Sequence, residues 1–138
     1  SLKNQYKNYW PLWATLFIAL SILPLLAMFR LASNTVPAVV FGGFGLLWVT
    51  TFFVYWFDKK RAQKGEWRTP EVTLHLFELA GGWGAAFWAQ RILRHKIRKT
   101  SFQITFWLIG IFHQLFAFDF LNYFEYSKQL LNLIFQQS

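Results

Sequence analysis

Long uncharged runs alternate with short, densely basic ones along this chain. Three apolar runs, Pro11 to Phe29, Leu31 to Phe57 and Thr100 to Phe118, contain no Lys, Arg, Asp or Glu. A bilayer-spanning helix needs about 20 mainly apolar residues, so each run predicts a span. A fourth stretch, Val72 to Gln90, is marginal, because His75 and Glu78 lie near its start and Gly81, Gly82 and Gly84 break its helical pattern. The first helix is expected from about Leu12 to Ala32, kinked or locally opened by Pro24. The short turn through Ser33, Asn34, Thr35 and Pro37 sets a second, antiparallel helix from Pro37 to Phe57. Gly42, Gly43 and Gly45 give that helix a smooth face for close approach. Its far end, Phe52, Phe53, Tyr55, Trp56 and Phe57, reads as an interfacial aromatic anchor. Asp58 to Arg68 is expected as a hydrophilic loop, after which Thr69 caps a helix with Pro70 at its first position. The last span runs from about Ser101 to Phe120. The apolar positions Leu130, Leu131, Leu133, Ile134 and Phe135 suit a tail lying in the interface plane.

Charge turns this pattern into a topology. Ten of the fourteen Lys and Arg fall in two clusters, Lys59 to Arg68 and Arg91 to Lys99, each against an apolar segment. The net charge of +8 would suggest nucleic acid in a soluble chain, but 55% hydrophobic residues and a mean hydropathy of +0.28 argue for a membrane protein. Basic residues favour the cytoplasmic side, so both clusters belong on one face of the bilayer. The segment between them then enters and returns, or lies in the interface. The expected fold is an all-α membrane bundle of one domain, residues 1–138, with three transmembrane helices plus a Gly-broken re-entrant or interfacial helix pair. Four full spans are the alternative. The N-terminus is placed in the cytoplasm, with Lys3 and Lys7 on that side and Trp10 and Trp13 in the aromatic belt. Pro11 to Phe29 makes a poor signal peptide, lacking a compact basic start and a small-residue cleavage pattern.

Candidate chemistry sits between the clusters. Glu71, His75 and Glu78 are spaced by four and three residues and share one helical face. Ionisable groups in an apolar segment are expensive unless paired or hydrated. They read either as a proton-transfer or metal site or as structural partners of nearby cations, with His75 bonded to a backbone carbonyl. Arg68, Arg94, His95, Lys96 and Lys99 compose a candidate anion site, with Lys59 and Lys60 adding a more distant field; the plainer reading is a topological anchor. Asp58 is expected to pair with Arg61 or with a cation of the second cluster. His113 suits a hydrogen bond across a helix interface, and Arg30 can snorkel to the surface. No cysteine is present, which removes disulfide and thiolate chemistry. The chain has no Gly-rich phosphate loop, Gly-x-Ser-x-Gly or His-Glu-x-x-His pattern, and no cofactor is expected.

Asp58–Lys59, Ala62, Arg68–Thr69–Pro70–Glu71, Leu74, Gly81–Gly82, Gly84–Ala85, His95–Lys96, Lys99 and Phe102 form a pattern across residues 55–106. This core resembles a small bacterial family of inner-membrane proteins of unknown function. Some members carry an N-terminal cold-shock domain; no such module is read ahead of Trp10, so nucleic acid is not expected as a direct partner. The resemblance implies a multi-pass protein of the bacterial inner membrane and no catalytic assignment. Two functions stay open. One is a non-enzymatic module binding an anionic lipid or phosphate-bearing ligand at a cytoplasmic basic surface. The other is a membrane enzyme or proton-coupled transporter using Glu71, His75 and Glu78. Glycine-lined helices also make a homo-oligomer plausible.

Overall fold

The computed structural model describes residues 9–137, and among them the regular structure is entirely helical. The elements are α1 (Trp10–Asn34), α2 (Pro37–Lys64), α3 (Glu71–Phe77), a wide π-type turn (Glu78–Gly82), α4 (Trp83–Leu93), α5 (Thr100–Leu121) and α6 (Glu125–Gln136). Three of them, α1, α2 and α5, are long and apolar enough to cross a bilayer. The chain is a multi-span membrane protein. Lys3 and Lys7 lie outside the described residues.

Each helix starts, stops or continues for a local reason. Pro37 opens α2, where a missing N–H is harmless. The helix does not stop at Phe57. Residues 58–64 form its last two turns, correcting the expected loop, because Lys and Arg are good helix formers whose charge complements the terminal carbonyls. It stops at Gly65, which is left-handed at φ 68°, and the N–H groups of Gly65 and Glu66 turn back to the carbonyls of Ala62 and Arg61.

In α1 the helix continues through Pro24. A proline cannot bond the carbonyl four residues behind it, and that carbonyl, of Leu20, accepts instead from Gln114 Nε2 of α5. The opening expected at Pro24 has become a link between helices. Arg30 makes another: its Nη1 donates to the carbonyls of Phe120 and Leu121 at the end of α5, where the sequence suggested a side chain reaching outward.

Between α2 and α5 the chain doubles back. Glu71, at the start of α3, is hydrogen-bonded to Lys99, just before α5. The intervening turn lies against Phe44, Leu47 and Trp48, farther along α2. At about 1.5 Å of rise per residue, Trp48 lies about 15 Å from Asp58, half the depth of an apolar core about 30 Å thick. The segment therefore enters the bundle and returns to the end it left, which excludes the alternative of four full spans.

The reversal occurs at Gly81, whose φ of 129° is rarely open to residues with a side chain. Gly82 and Gly84 need no positive φ; their absent side chains let Thr51 and Trp48 of α2 approach. Broken backbone at membrane depth needs partners inside the protein. Trp48 Nε1 supplies one to the Gly81 carbonyl at 3.0 Å, and His113 Nε2 another to the Glu78 carbonyl at 2.8 Å.

The returning helix α4 is the core of the bundle. Ala86, Phe87 and Ala89 are fully buried among Tyr55, Leu74, Phe102 and Phe106, and Trp83 stacks on Phe106 at 4.8 Å. Arg91 lies between the rings of Trp13 and Phe87, 4.1 and 3.6 Å from their centroids, tying α1 to α4. The aromatic end of α2 is thus only partly an anchor. Phe53 and Phe57 face outward, while Tyr55 faces the core. A Cβ at Gly42, Gly43 or Gly45 would meet nothing within 4 Å among the described residues, so the smooth face takes no close helix contact there. Helix α6 is exposed throughout and is held to α5 by Asp119, which accepts from Ser127.

Replacing Gly81 by Ala should destabilise the bundle by about 1–3 kcal/mol, because a Cβ there is strained in backbone and meets the Phe44 ring. Gly43→Ala, with open space at its Cβ, should stay within about 0.5 kcal/mol of the parent. Unfolding in mixed detergent micelles titrated with dodecyl sulfate measures both.

Candidate functional site

Two polar stripes meet where the doubled-back segment packs on α2. Thr51, Tyr55 and Asp58 recur at helical spacing on α2, and all three are fully buried. From the opposite side come Glu71, His75 and Glu78.

Asp58 holds both ends of the hairpin. Its Oδ1 accepts the backbone N–H of Thr69 at 3.0 Å. Its Oδ2 accepts from His95 Nε2 at 2.7 Å and lies 3.4 Å from Arg68 Nη2 and 3.5 Å from Lys96 Nζ. Arg68 and Thr69 precede the hairpin, whereas His95 and Lys96 follow it. Glu71 repeats the pattern, bonded to Lys99 and 3.5 Å from Lys96, so Lys96 bridges the two carboxylates. Lys59 donates to the carbonyl of Leu93 and so caps α4. The expected pairing of Asp58 with the second cluster is found, but Arg61 turns instead to the Thr69 hydroxyl at 3.4 Å. Thr69 accordingly does not cap α3, which follows Pro70 without a side-chain cap.

The loop that delivers His95 is bent hard. Arg94 and Lys96, on either side of it, are both left-handed, at φ 51° and 62°. Such conformations cost non-glycine residues of order 1–3 kcal/mol each. The bonds of His95 and Lys96 to Asp58 and Glu71 hold the loop there. Burial favours the neutral imidazole of His95 and keeps its pKa below the ordinary 6.5, against the opposing pull of the Asp58 carboxylate. The hydrogen bond from Lys99 keeps the Glu71 carboxyl below its ordinary 4.5.

The three residues expected to share one face do not form one site. Glu71 is committed to the ion-pair cluster. His75 Nδ1 instead meets Glu78 Oε2 at 2.7 Å, and its ring stacks on Phe102 at 4.4 Å. Among the described residues no group of three or more His, Asp or Glu is placed to hold a metal ion. Glu78, fully buried, also accepts from the Tyr55 hydroxyl. Tyr55 in turn accepts from Gln90 Nε2 at 3.3 Å, and Gln90 Oε1 accepts from Gln103 Nε2 at 2.7 Å. Gln103 also donates to the Lys96 carbonyl at 3.1 Å, so this chain of side chains ends at the ion-pair cluster.

Of the candidate anion ligands, Arg68, His95, Lys96 and Lys99 gather around the two carboxylates, and Arg94 sits on the exposed turn beside them. Tyr55, Gln90 and Gln103 were missed by the sequence reading. One signal was present: Thr51, Tyr55 and Asp58 make a polar stripe at positions i, i+4 and i+7 of a membrane helix. The aromatic neighbours of Tyr55 masked it.

Removing one partner of a buried ion-pair set leaves uncompensated charge, typically worth 3–5 kcal/mol. Asp58→Asn should therefore destabilise the fold by about 3–5 kcal/mol, and adding Lys96→Met should recover part of the loss in the same unfolding assay. Stability should also fall on acidification. His95 and Glu71 both bind protons more weakly in the folded state, so their contributions are complete above 6.5 and 4.5 respectively and are lost as pH drops further. His95→Gln should flatten the part of a thermal-midpoint profile just below pH 6.5.

No curated protein and no solved structure matches the chain. A family model does. It matches residues 49–102, from the polar stripe of α2 through the hairpin and the ion-pair loop to the start of α5. The match carries neither a source organism nor a cold-shock domain. This segment is similar to the DUF1294 family, whose description is protein of unknown function.

Proposed function

We propose that this protein is a non-enzymatic membrane module whose basic end captures a phosphate-bearing anion, either a lipid headgroup or a free phosphate compound. One observation carries the reading: the most exposed members of the ion-pair cluster are cations. Asp58 is fully buried and Glu71 is one-third exposed, while the side chains of Arg68 and Lys99 are 47% and 55% exposed. Lys96 and His95 lie inside with the carboxylates, and the outward-facing Arg68 and Lys99 leave a positive rim, to which the exposed Lys60, Lys64, Arg94 and Arg98 add. Arg68 and Arg94 are the residues suited to bidentate phosphate contacts, and Lys99 acts as a point charge, with Lys96 adding its field from between the two carboxylates. The positive-inside bias favours the cytoplasmic face for this rim, and a bacterial inner membrane is the setting that the resemblance of residues 55–106 suggests.

A second reading draws on the buried Glu78. Bonded to His75 and Tyr55 and connected through Gln90 and Gln103 to the cluster, it has the composition of a proton relay in an enzyme or proton-coupled transporter. Glu71 contributes nothing to that relay directly. Proton uptake into vesicles containing the protein, abolished by Glu78→Gln, would shift the assignment to it.

Each basic residue near a membrane surface contributes about 1 kcal/mol, roughly fivefold, towards an anionic headgroup. Arg68→Gln with Lys99→Gln should therefore weaken binding of a short-chain phosphatidylglycerol to the protein in a neutral detergent by an order of magnitude or more. The parent's binding should also weaken as salt rises. Competition by inorganic phosphate distinguishes a free anion from a headgroup. Binding untouched by the double substitution at low salt refutes the assignment.

A further inference from the structure

The hairpin fills only one half of the bundle. Beyond its tip, α1, α2 and α5 continue alone and line a half-open cavity of about 730 Å³. Its roof is the tip itself, from Leu79 to Gly84. Its walls include Leu20 and Ala27 of α1, Phe44 and Trp48 of α2, and Ala117 and Phe120 of α5. That volume is in the range of ligand sites, which run from roughly 300 to 1,000 Å³.

The wall chemistry selects the occupant. Three polar side chains line the space, Ser21, His113 and Gln114, and each is turned onto a backbone carbonyl. Ser21 donates to Phe17, Gln114 to Leu20, and His113 bonds the Glu78 carbonyl. The interior surface left over is overwhelmingly hydrocarbon and aromatic. Water held in a cavity needs two to four polar partners, and a polar solute needs more. An acyl chain needs none, and the cavity lies at the depth where acyl chains are the solvent.

The mouth adds a charge. Arg30 stands one turn beyond Ala27 and next to Leu31, and it is bonded to the carbonyl of Phe120; all three of those neighbours line the cavity. Its Nη1 is used on the end of α5 and its guanidinium plane lies 4.1 Å over the Tyr123 ring. Among the described residues Nε and Nη2 make no hydrogen bond. An amphiphile with an apolar tail and a phosphate head matches this arrangement of an apolar hole beneath a fixed guanidinium.

We propose that the cavity holds one acyl chain of a bilayer phospholipid, from the leaflet opposite the ion-pair cluster, with its phosphate at Arg30. The site is independent of the basic rim assigned above. It lies at the other end of the helices and shares no residue with that rim. The bound chain completes the half of the bundle that the hairpin does not reach.

Native mass spectrometry of the full chain, extracted in a detergent without phosphate, tests this. The parent should retain one phospholipid per chain after extensive washing. Ala27→Trp, which fills the cavity, should abolish retention, and Arg30→Gln should reduce it at least fivefold. Arg68→Gln with Lys99→Gln should leave it unchanged, which separates this site from the rim. Should Ala27→Trp fail to fold, Ser21→Phe puts a ring into the same space. Retained lipid that ignores both the filling and the Arg30 substitutions is annular lipid only and overturns the proposal. Failure of the parent to retain a phospholipid, or to take one up from added short-chain phosphatidylglycerol, overturns it as well. A bound detergent tail, with no preference for phosphate and no response to Arg30→Gln, removes the headgroup assignment.

Discussion

A single buried carboxylate organises the architecture. Asp58 stands on α2 at the mouth of the hairpin and binds groups both preceding and following it, namely Arg68, the Thr69 N–H, His95 and Lys96. Removing a carboxylate from water is expensive, and that expense is offset only when several donors converge on it. Convergence in this case requires the chain to return to its starting end. The requirement to satisfy Asp58 and the re-entrant path are thus one constraint seen from two sides. Glu71 and Lys96 extend it by a second set of ion pairs, and Lys59 fixes the end of the returning helix.

The three long helices were legible because a bilayer imposes a length and a composition that few other folds share. The doubling back was also legible, from two basic clusters that cannot comfortably face opposite sides and from glycines between them. What escaped was set by partners distant in sequence. The helical state of residues 58–64 is decided by Gly65 at its end and by Asp58 turning inward, and local polarity alone reads as loop. Tyr55 sits among lipid-facing aromatics, so its role appears only once Glu78 is folded against it. Arg94 and Lys96 adopt a left-handed backbone with no glycine to announce it, because the bonds of His95 and Lys96 to the carboxylates hold the loop there. The spacing of Glu71, His75 and Glu78 was real, but a helix face extends along its axis, and the first of the three is captured by Lys99 before it can join the others.

The interior shows a consistent way of handling polar atoms in an apolar medium. Wherever the backbone is interrupted, a side chain from another element supplies the missing partner. Gln114 takes the carbonyl left behind by Pro24, Trp48 and His113 take those of the hairpin turn, and Arg30 takes those at the end of α5. These bonds join elements that would otherwise meet through hydrocarbon contacts alone, so they fix how far each helix is shifted along its neighbour. A slide of one helical turn would break them together.

The half-depth hairpin also gives the molecule unequal ends. Five helical segments occupy the level of the ion-pair cluster, and three continue past Gly81. In a bilayer such a body is a wedge, displacing more lipid from one leaflet than from the other. The leaflets then carry different lateral stress around it, and the membrane relieves that stress by curving, or the protein by gathering lipid at its narrow end. The exposed helix α6, attached at that narrow end through Asp119, has the amphipathic character to occupy surface area there. A break of a single residue in one short helix pair thereby becomes a mechanical property of the surrounding sheet of lipid.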